Sequence, residues 1–441
     1  MTRPTYKCLL VPFVILLLVV SCRPDTKAFD VDNVEILHRN EDLLTRIIIY
    51  DVFTPPVAAR IYVYSSLASY EALRFSKDGT GSIMEKTRGF AKAPLPEPRK
   101  NYNFLLAASK AFFTVARNIR VFAVDSLQRY EDSIYTGFRE HLDDSTYQRS
   151  VAFGDTIARV VLARAKTDGY VKSRGKPKHL GSNDAGMWRP TPPDYLDGVE
   201  WCWNTMKTFV LDSASQFMAP PPPVYSSDTN SVFFKNVKEV YNINLHLTDE
   251  QKLVARYWDD NPFVIEHSGH LSFGNKKITP GGHWMGIAAI AARKTKADAI
   301  LVAKGYVLTA IALYDGFIAC WDEKYRSNYI RPVTVINEFI DPTWTAFLQT
   351  PPFPEYVSGH STITRAAATV LSRLYGDHFS FLDTSDLEYI GLQREFGSFV
   401  EAADEASISR VYGGIHYTIS VDEGAVMGKK VGDLIVDKLM K

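Results

Sequence analysis

The stretch from Ile287 to Cys320 constrains the fold more than any other part of this 441-residue chain. It is rich in alanine and aliphatic residues, which suits either a membrane span or the core of a helical protein. Six charged residues interrupt it: Arg293, Lys294, Lys296, Asp298, Lys304 and Asp315. Because burying such charges in lipid is very costly, the stretch predicts a pair of buried helices in a soluble protein.

The chain before this stretch carries a helical pattern, from about residue 34 to residue 172. Apolar residues recur there at three- and four-residue steps, which is typical of amphipathic helices. They include Leu43, Ile47, Tyr50, Val57, Ile61, Tyr64 and Leu67. Few stretches alternate as strands do, so we predict an all-α fold built from helical bundles.

Two local signals mark helix starts. Pro55–Pro56 suits a first helical turn, where a missing N–H costs nothing. Thr248 is followed three residues later by Gln251, which is the capping-box pattern at the start of a helix. We therefore divide the chain into an N-terminal helical region, residues 34–246, and a C-terminal core, residues 247–441.

A segment rich in proline and tryptophan, residues 169–230, interrupts the first helical region. Trp188–Pro193 and Pro220–Pro223 cannot continue helices. The tryptophans and tyrosines of the segment argue against a disordered linker. Because long ordered loops in compact proteins are often functional, we predict that this Pro-rich loop covers a pocket as a lid.

The first residues are typical of an export signal. Leu9–Val20 is almost wholly apolar, follows a basic start and is closed by Ser21 and Cys22. This run is too short for a typical transmembrane span. We predict a lipoprotein signal peptide at residues 1–21, a lipidated Cys22 and a tether at residues 22–33. The protein would then be exported and anchored to the bacterial cell envelope, on its periplasmic or outer side. An ordinary secretory signal is the alternative.

Charge and cysteine content narrow the possible partners. Fifty basic and fifty acidic residues cancel, so nothing global indicates nucleic acid as a partner. Cys202 and Cys320 lie far apart in the sequence, and two buried free thiols are favoured over a disulfide. Cationic character is instead local to three C-terminal segments.

The first of these segments runs from Lys324 to Pro332. Lys324 and Arg331 are seven residues apart, about two helical turns, so both could project from one helix face. Pro332 disfavours helix at Arg331 and places that residue near a helix end. A solvated basic face is the alternative, although the preceding residues, Phe317 to Trp321, are apolar.

The other two segments each combine a histidine with glycine. Ser358–Gly359–His360 precedes an apolar helix, and its glycine lets a backbone amide approach an anion at the positive helix end. In Ser409–His416 two glycines interrupt a helix and could turn Arg410 and His416 toward one bound group. Taken singly, these segments are more typical of a capping serine or a core histidine. Together the three segments supply the donors that hold phosphate or vanadate.

The order K-x6-R-P, S-G-H and S-R-x3-G-x-H resembles the signature of a known superfamily. It joins type 2 phosphatidic acid phosphatases, bacterial acid phosphatases and vanadium-dependent haloperoxidases. Trp321 and Pro352–Tyr356 resemble the haloperoxidase branch, and Trp258–Asp260 and Gly282–Trp284 are similar to its exported bacterial members. The resemblance covers most of the chain and is strongest from Leu247 to Asp422.

The resemblance implies an all-helical fold and a pocket for vanadate or phosphate. Five residues would bind the oxygens of the anion: Lys324, Arg331, Ser358, Gly359 and Arg410. His416 would ligate vanadium, or attack phosphorus in a phosphatase, and His360 would be the acid and base. Phe353 and Trp321 would lie at the halide site.

The chain departs from the family pattern at two positions. The phosphatase-like motif has aspartate four residues after the ligand histidine, where this chain has Ser420, and Val357 stands where proline is usual. Because a ligand histidine needs an orienting acceptor, we expect Asp422, Ser420 or a backbone carbonyl to serve. Asp259 or Asp260 could pair with a site arginine, or both could be surface acids.

Three functions are compatible with these residues. The leading hypothesis is a vanadate-dependent haloperoxidase that oxidises halide with hydrogen peroxide, with vanadium as a Lewis acid. The second is an exported acid phosphatase that hydrolyses phosphomonoesters through a phospho-His416 intermediate. The third is a non-catalytic, oxyanion-binding surface lipoprotein. The complete set of oxyanion-binding residues and histidines favours catalysis.

Overall fold

The described residues of the computed structural model are 29–119, 122–262, 265–268, 271–274 and 276–441. Within residues 263–275 only the strand backbone is described. The predicted signal peptide, Cys22 and most of the tether lie outside the described residues, so these predictions stay predictions. Residues 29–33 lead directly into the first helix.

The fold is all-α, as the sequence predicts. Fifteen α-helices account for most of the described residues. The N-terminal region contains α1 (Glu35–Tyr50), α2 (Pro55–Leu73), α3 (Phe104–Asn118), α4 (Val124–His141), α5 (Asp144–Ala165), α6 (Tyr170–Arg174) and α7 (Val232–Leu245). The C-terminal core contains α8 (Asp249–Tyr257), α9 (Pro280–Lys294), α10 (Ala299–Ser327), α11 (Pro332–Phe339), α12 (Gly359–Tyr375), α13 (Leu387–Ile390), α14 (Phe399–Tyr412) and α15 (Thr418–Leu439).

The sheets in the described part of the chain are two short antiparallel pairs. β1 (Ile265–Ser268) pairs with β2 (Leu271–Gly274), and β3 (Phe381–Asp383) pairs with β4 (Arg394–Phe396). The second pair matters for the site, because β3 packs against α9.

Helix α10 lies at the centre of the fold, packed against α2, α9 and α12. It is long and apolar enough to cross a membrane, but 83% of its most apolar part is buried inside the protein. It is therefore a core helix, as the charges in Ile287–Cys320 predict. One hydrophobic core extends from Ile36 to Leu439 and includes residues on both sides of position 247. The division of the chain at that position stays a prediction.

Helix starts follow the local signals in the sequence. Pro55 begins α2. The hydroxyl of Thr248 accepts a hydrogen bond from the N–H of Gln251, whose side chain accepts one from the N–H of Thr248. At α12, the hydroxyl oxygen of Ser358 accepts from the N–H of Ser361 at 3.3 Å. Both predicted starts are thus confirmed, and a serine caps the helix that carries the S-G-H motif.

Helices α12 and α15 approach closely, because α15 carries glycine at every fourth position. A Cβ at Gly424 would lie 2.8 Å from the carbonyl oxygen of Ser358, and one at Gly428 would lie 2.1 Å from that of Thr362. A Cβ at Gly432 would likewise lie too close to α12, 2.9 Å from the carbonyl oxygen of Ala366. Since protein interiors are close-packed, a larger side chain there would push α12 away. The start of α12 is thereby fixed against α15.

The Pro-rich loop, residues 169–230, wraps around the segments that carry the basic residues. The N–H of Trp188 donates to the carbonyl oxygen of Asn328 at 2.7 Å, and that of Val199 donates to the carbonyl oxygen of Pro352 at 2.9 Å. Trp188 is fully buried. The loop is therefore ordered and anchored by aromatic residues, as its composition predicts.

Cys202 and Cys320 are both buried and unpaired, which confirms the prediction of free thiols. Burial raises the pKa of both thiols. A buried thiol with a raised pKa is a poor nucleophile, so both cysteines are structural.

Candidate active site

The three basic segments meet near the end of α10. Lys324 lies in the last turn of that helix, which ends where Asn328 adopts a left-handed conformation (φ 46°). Arg331 is the N-cap residue of α11, so it lies at a helix terminus as Pro332 predicts. The prediction that Lys324 and Arg331 share one helix face is wrong, because α10 ends at Ser327 and Arg331 is the N-cap of α11.

Ser358, Gly359 and His360 occupy the N-terminus of α12. A Cβ on Gly359 would lie 3.4 Å from the ring of Trp321 and 3.9 Å from Cε of Lys324, so a side chain there would fill the space beside the lysine. The first amides of a helix have no acceptor within the helix. The amides at this helix start can therefore donate to an anion.

The third segment turns back on itself after α14. Arg410 lies in the last turn of that helix. Gly414 then has a φ of +76°, a conformation that glycine adopts at no steric cost. The turn brings Nε2 of His416 to 3.3 Å from Nη1 of Arg331. The first and third segments, which are distant in sequence, thus converge.

Lys324, Arg331 and Arg410 carry their charges deep inside the protein, each at most 2% exposed. Nζ of Lys324 donates to the carbonyl oxygens of Pro354 at 2.9 Å and Glu355 at 3.0 Å. Burial lowers the pKa of Lys324 to about 7 and that of Arg331 to about 10, and it also lowers the pKa of Arg410. Buried cations with few counter-charges are costly, and a bound anion would stabilise them.

Glu355 holds His416 in one tautomer. Its Oε1 accepts from Nδ1 of His416 at 2.7 Å and from the N–H of Tyr417 at 3.0 Å. With the proton on Nδ1, the Nε2 atom keeps its lone pair. Burial, followed by the charges of Arg331 and Lys324, lowers the pKa of His416 well below its usual range, so the ring is neutral. A neutral imidazole with an unprotonated Nε2 is the form that binds a metal.

Glu355 is the acceptor that sequence reasoning missed. Asp422 is exposed, and the hydroxyl of Ser420 donates to the backbone carbonyl of Glu355 at 3.3 Å. The expectation that Asp422, Ser420 or a backbone carbonyl orients His416 is therefore wrong. The available signal was an acidic residue within Pro352–Tyr356, the stretch that carries part of the family resemblance.

Arg410 is held by the segment that follows α8. Its Nη1 donates to the carbonyl oxygen of Trp258, and its Nη2 lies 4.0 Å from Oδ1 of Asp259. Asp259 also accepts from Nζ of Lys277 at 2.6 Å. Asp259 and Asp260 are both buried, so the alternative that they are surface acids is wrong. Within the described residues, Nε of Arg410 has no hydrogen-bond partner.

His360 faces a cavity, and its side chain keeps 16% of its surface exposed. Its Nε2 has no hydrogen-bond partner among the described residues, and it lies 3.9 Å from Oδ2 of Asp260. Burial, followed by the charge of Arg410, lowers the pKa of His360 well below its usual range. A neutral imidazole with an open nitrogen is suited to accept a proton.

Trp321 and Phe353 form an aromatic wall, with ring centroids 5.0 Å apart. The Phe353 ring also contacts two cations, with its centroid 5.0 Å from Nζ of Lys324 and 5.1 Å from Cζ of Arg331. Such cation–π contacts stabilise a buried charge. The indole N–H of Trp321 donates to the carbonyl oxygen of Val199 at 3.1 Å. The wall is therefore fixed in place and apolar.

A cavity opens over these groups. Six of the predicted site residues line it: Trp321, Phe353, Gly359, His360, Arg410 and His416. Lys324, Arg331 and Ser358 are fully buried. The residues that line the cavity in the described part of the chain include none from the Pro-rich loop. The loop supports the site segments from outside this cavity, and its lid role stays a prediction.

Comparison with known proteins identifies relatives in two ways. Residues 304–441 match the family described as the VCPO second helical-bundle domain. The chain is similar to the crystal structure of a bacterial vanadium-dependent iodoperoxidase, with 42% sequence identity and a TM-score of 0.87. The match covers 92% of this chain and 97% of the iodoperoxidase chain. No curated protein matches the chain.

Two more distant structures share the fold. They are the holo and apo forms of a bacterial vanadium-dependent chloroperoxidase, 18% and 19% identical, with TM-scores of 0.69 and 0.68. Each covers 88% of this chain, and the similarity spans 93% and 94% of those chains. At this identity the likeness concerns the fold alone.

Proposed function

This chain belongs to the vanadium-dependent haloperoxidases, and we propose that the pocket described above is where it oxidises halide with hydrogen peroxide. The observation that carries the assignment of the pocket is a neutral, locked His416 beside three buried cations. The relatives favour a peroxidase over the phosphatase and over the non-catalytic lipoprotein.

The residues of the pocket fit a tetrahedral oxyanion such as vanadate. Lys324, Arg331 and Arg410 bring positive charge into a buried region, where an anion would offset the cost of burying it. Nε of Arg410 lacks a hydrogen-bond partner among the described residues. Because Gly359 has no side chain, there is space beside Trp321 and Lys324 that a Cβ at this position would fill. Charge, open donors and room therefore agree with the cofactor of the family.

Six of the predicted site residues would hold the cofactor. Five of them would bind the oxygens of vanadate: Lys324, Arg331, Ser358, Gly359 and Arg410. They offer ammonium, guanidinium, hydroxyl and backbone amide donors. The Nε2 atom of His416 would ligate vanadium. Vanadate bound there acts as a Lewis acid toward hydrogen peroxide and keeps its oxidation state.

His360 would move the protons of the reaction. Halide, hydrogen peroxide and one proton give hypohalous acid and water, so the O–O bond breaks and the halide loses two electrons. A neutral imidazole that lines the cavity and whose Nε2 has no partner among the described residues can take a proton from the incoming peroxide. It can then return that proton to the oxygen that leaves as water.

Iodide is the halide that we propose. The relative at 42% identity is an iodoperoxidase. The cavity wall near the basic residues consists of the Trp321 and Phe353 rings. A large, weakly hydrated anion loses less free energy on leaving water than chloride does, so an apolar aromatic wall favours iodide.

An assay of the purified, phosphate-free protein with and without orthovanadate tests this function. We expect vanadate-dependent oxidation of iodide by hydrogen peroxide, with lower kcat/KM for bromide and chloride. Release of phosphate from p-nitrophenyl phosphate, inhibited by vanadate and without halide oxidation, would identify a phosphatase instead. Silence in both assays would favour the non-catalytic lipoprotein.

We also propose that the protein is exported and anchored through lipid on Cys22. The support is the apolar run Leu9–Val20 with Ser21 and Cys22 after it. Mass spectrometry of protein from the cell envelope should find a mature N-terminus at a lipid-modified Cys22. The Cys22→Ala variant should leave the membrane fraction. An unmodified N-terminus at another residue would support an ordinary secretory signal.

A further inference from the structure

A second buried histidine lies in the Gly282–Trp284 motif, which the proposed function leaves unexplained. His283 is in the first turn of α9 and is fully buried. Its Nδ1 lies 3.2 Å from Oδ1 of Asp260, and its Nε2 lies 2.9 Å from Oδ2 of Asp383. Because both ring nitrogens face carboxylates, both donate protons, and the ring is an imidazolium.

A third carboxylate completes this group, which we call the His283 cluster (His283, Asp260, Asp383 and Asp386). Oδ2 of Asp386 lies 3.7 Å from Nδ1 of His283. Burial opposes the charge on His283, but the carboxylates of Asp260 and Asp383 outweigh it and raise the pKa of His283 well above its usual range. Burial raises the pKa of Asp386 to about 7, so Asp386 is the acid that can carry a spare proton.

The His283 cluster contacts the active site at two points. The second oxygen of Asp260, Oδ2, lies 3.9 Å from Nε2 of His360, and Asp260 lines the cavity. The Trp258 ring stacks on His283 with centroids 4.5 Å apart and an angle of 18° between the planes. The carbonyl oxygen of Trp258 accepts from Arg410. One buried ion network therefore adjoins both His360 and Arg410.

We propose that Asp260 is a positioning residue for His360 and that His283 holds Asp260 in place. This inference rests on the proposed function, in which His360 moves protons. A carboxylate fixed through Oδ1 presents Oδ2 to Nε2 of His360 and gives the protonated ring an ion-pair partner. The separation of 3.9 Å leaves the neutral ring without a hydrogen bond to that carboxylate. Asp260 thus acts through His360.

A metal ion is the competing occupant of the same cluster. Nδ1 of His283 and carboxylate oxygens of Asp260 and Asp386 lie within 4.8 Å of one another, close enough to hold one. A metal on Nδ1 would displace the proton that ties His283 to Asp260. We expect elemental analysis of the purified enzyme to find no stoichiometric divalent metal. One such ion per chain, lost in Asp386→Asn, would overturn the proposal.

Asp260→Asn and Asp386→Asn are a matched pair of variants. Each replaces one buried carboxyl group that faces Nδ1 of His283, but of these two only Asp260 faces His360. In the vanadate-loaded enzyme, Asp260→Asn should lower kcat by up to about a hundredfold, the cost of misplacing a catalytic group by about 1 Å. Its KM for iodide and its Kd for vanadate should stay near the wild-type values.

The control and the conservative variant separate positioning from structure. Asp386→Asn should keep a kcat near that of the wild type, and Asp260→Glu should recover part of the loss. Equal losses of kcat in both asparagine variants would assign the effect to the structure of the His283 cluster and overturn the proposal. An unchanged kcat in Asp260→Asn would do the same.

A readout independent of turnover covers the case in which Asp260→Asn does not fold. ¹⁵N NMR of the histidine rings in the unloaded wild type should show both nitrogens of His283 protonated near neutral pH. His283→Gln assigns these signals. A single protonated nitrogen on His283 would overturn the proposal. If the wild type oxidised no halide, the proposed function would fail, whereas the NMR and metal results would still decide the state of His283.

Discussion

The two histidines of the site each have a buried carboxylate nearby, but at different distances. Nδ1 of His416 is 2.7 Å from Glu355, and we call this pair the ligand wall. Nε2 of His360 is 3.9 Å from Asp260, and we call that pair the proton wall. Burial lowers the pKa of both histidines well below the usual range. The walls therefore differ in how tightly the ring is held rather than in its resting charge.

The difference in distance separates two chemical tasks. A metal ligand needs one tautomer with its lone pair in a fixed direction, and a carboxylate at hydrogen-bond distance provides this. A proton carrier has to gain and lose a proton within one cycle, so an acceptor just beyond hydrogen-bond distance suits it better. A histidine paired with a carboxylate is thus a static group on one wall and a titrating group on the other.

Removal of the ligand itself should have the largest effect. His416→Ala is expected to abolish vanadate-dependent halide oxidation, because vanadium would lose its protein ligand. Circular dichroism should show that the helices remain intact. If a folded His416→Ala protein kept wild-type turnover, His416 would not belong to the site.

Substitutions in the proton wall should lower kcat rather than the affinity for vanadate. His360→Ala should lower kcat by about 10²- to 10⁴-fold, which is the usual contribution of a general acid–base group. Equilibrium dialysis should show a much smaller change in vanadate affinity than His416→Ala causes. A lost affinity with an unchanged kcat would mean that the two walls have exchanged roles.

The carboxylate of the ligand wall should affect cofactor affinity. Glu355→Gln is expected to weaken vanadate binding by about 10- to 100-fold, the range for partners that orient a metal-bound histidine. Ser420→Ala is the control, because its hydroxyl donates to the backbone carbonyl of Glu355 and also bonds to the carboxyl group, while His416 keeps its own carboxylate partner in this variant. Equal losses in the two variants would point to the local backbone rather than to the carboxylate.

Vanadate affinity should also fall as the pH rises above about 7. In the protein without an anion, burial holds the pKa of Lys324 at about 7, below its usual value of 10.5. At higher pH the anion must therefore bind together with a proton. Burial raises the pKa of Glu355 to about 7, and its charged form disfavours a further anion, so it acts with the same sign. The decrease should reach about tenfold per pH unit for each proton taken up.

Calorimetric titration on both sides of pH 7 measures this dependence. Lys324→Arg should flatten part of the decrease, because a guanidinium keeps its charge throughout this range. An affinity that did not change with pH in the wild type would show that Lys324 is charged before the anion binds.

Local features of the site could be predicted from the sequence, because they depend on short segments. Gly359 and Gly414 are needed where the backbone makes a close approach or a left-handed turn. The order of the three motifs also identified the residues that converge, from Lys324 to His416. The chemistry of each residue type was enough to predict an oxyanion pocket.

The predictions that failed concern features that depend on contacts between segments distant in sequence. Helix α10 ends before Arg331, where Asn328 adopts a left-handed conformation and its carbonyl oxygen accepts from the N–H of Trp188 in the Pro-rich loop. Glu355 lies 61 residues before the histidine that it orients. A motif names residue types in order, but it does not contain the distances that distinguish the ligand wall from the proton wall.

The glycines of α15 determine where this enzyme can be altered by directed evolution. No described residue of α15 lines the cavity, yet a Cβ at Gly428 would lie 2.1 Å from the carbonyl oxygen of Thr362. A substitution there would displace α12 and with it the S-G-H motif. Libraries that seek new halides or larger substrates can vary Trp321 and Phe353, whereas Gly424 and Gly428 should tolerate almost no change. Tolerance to substitution in this enzyme will therefore not increase simply with distance from the cavity.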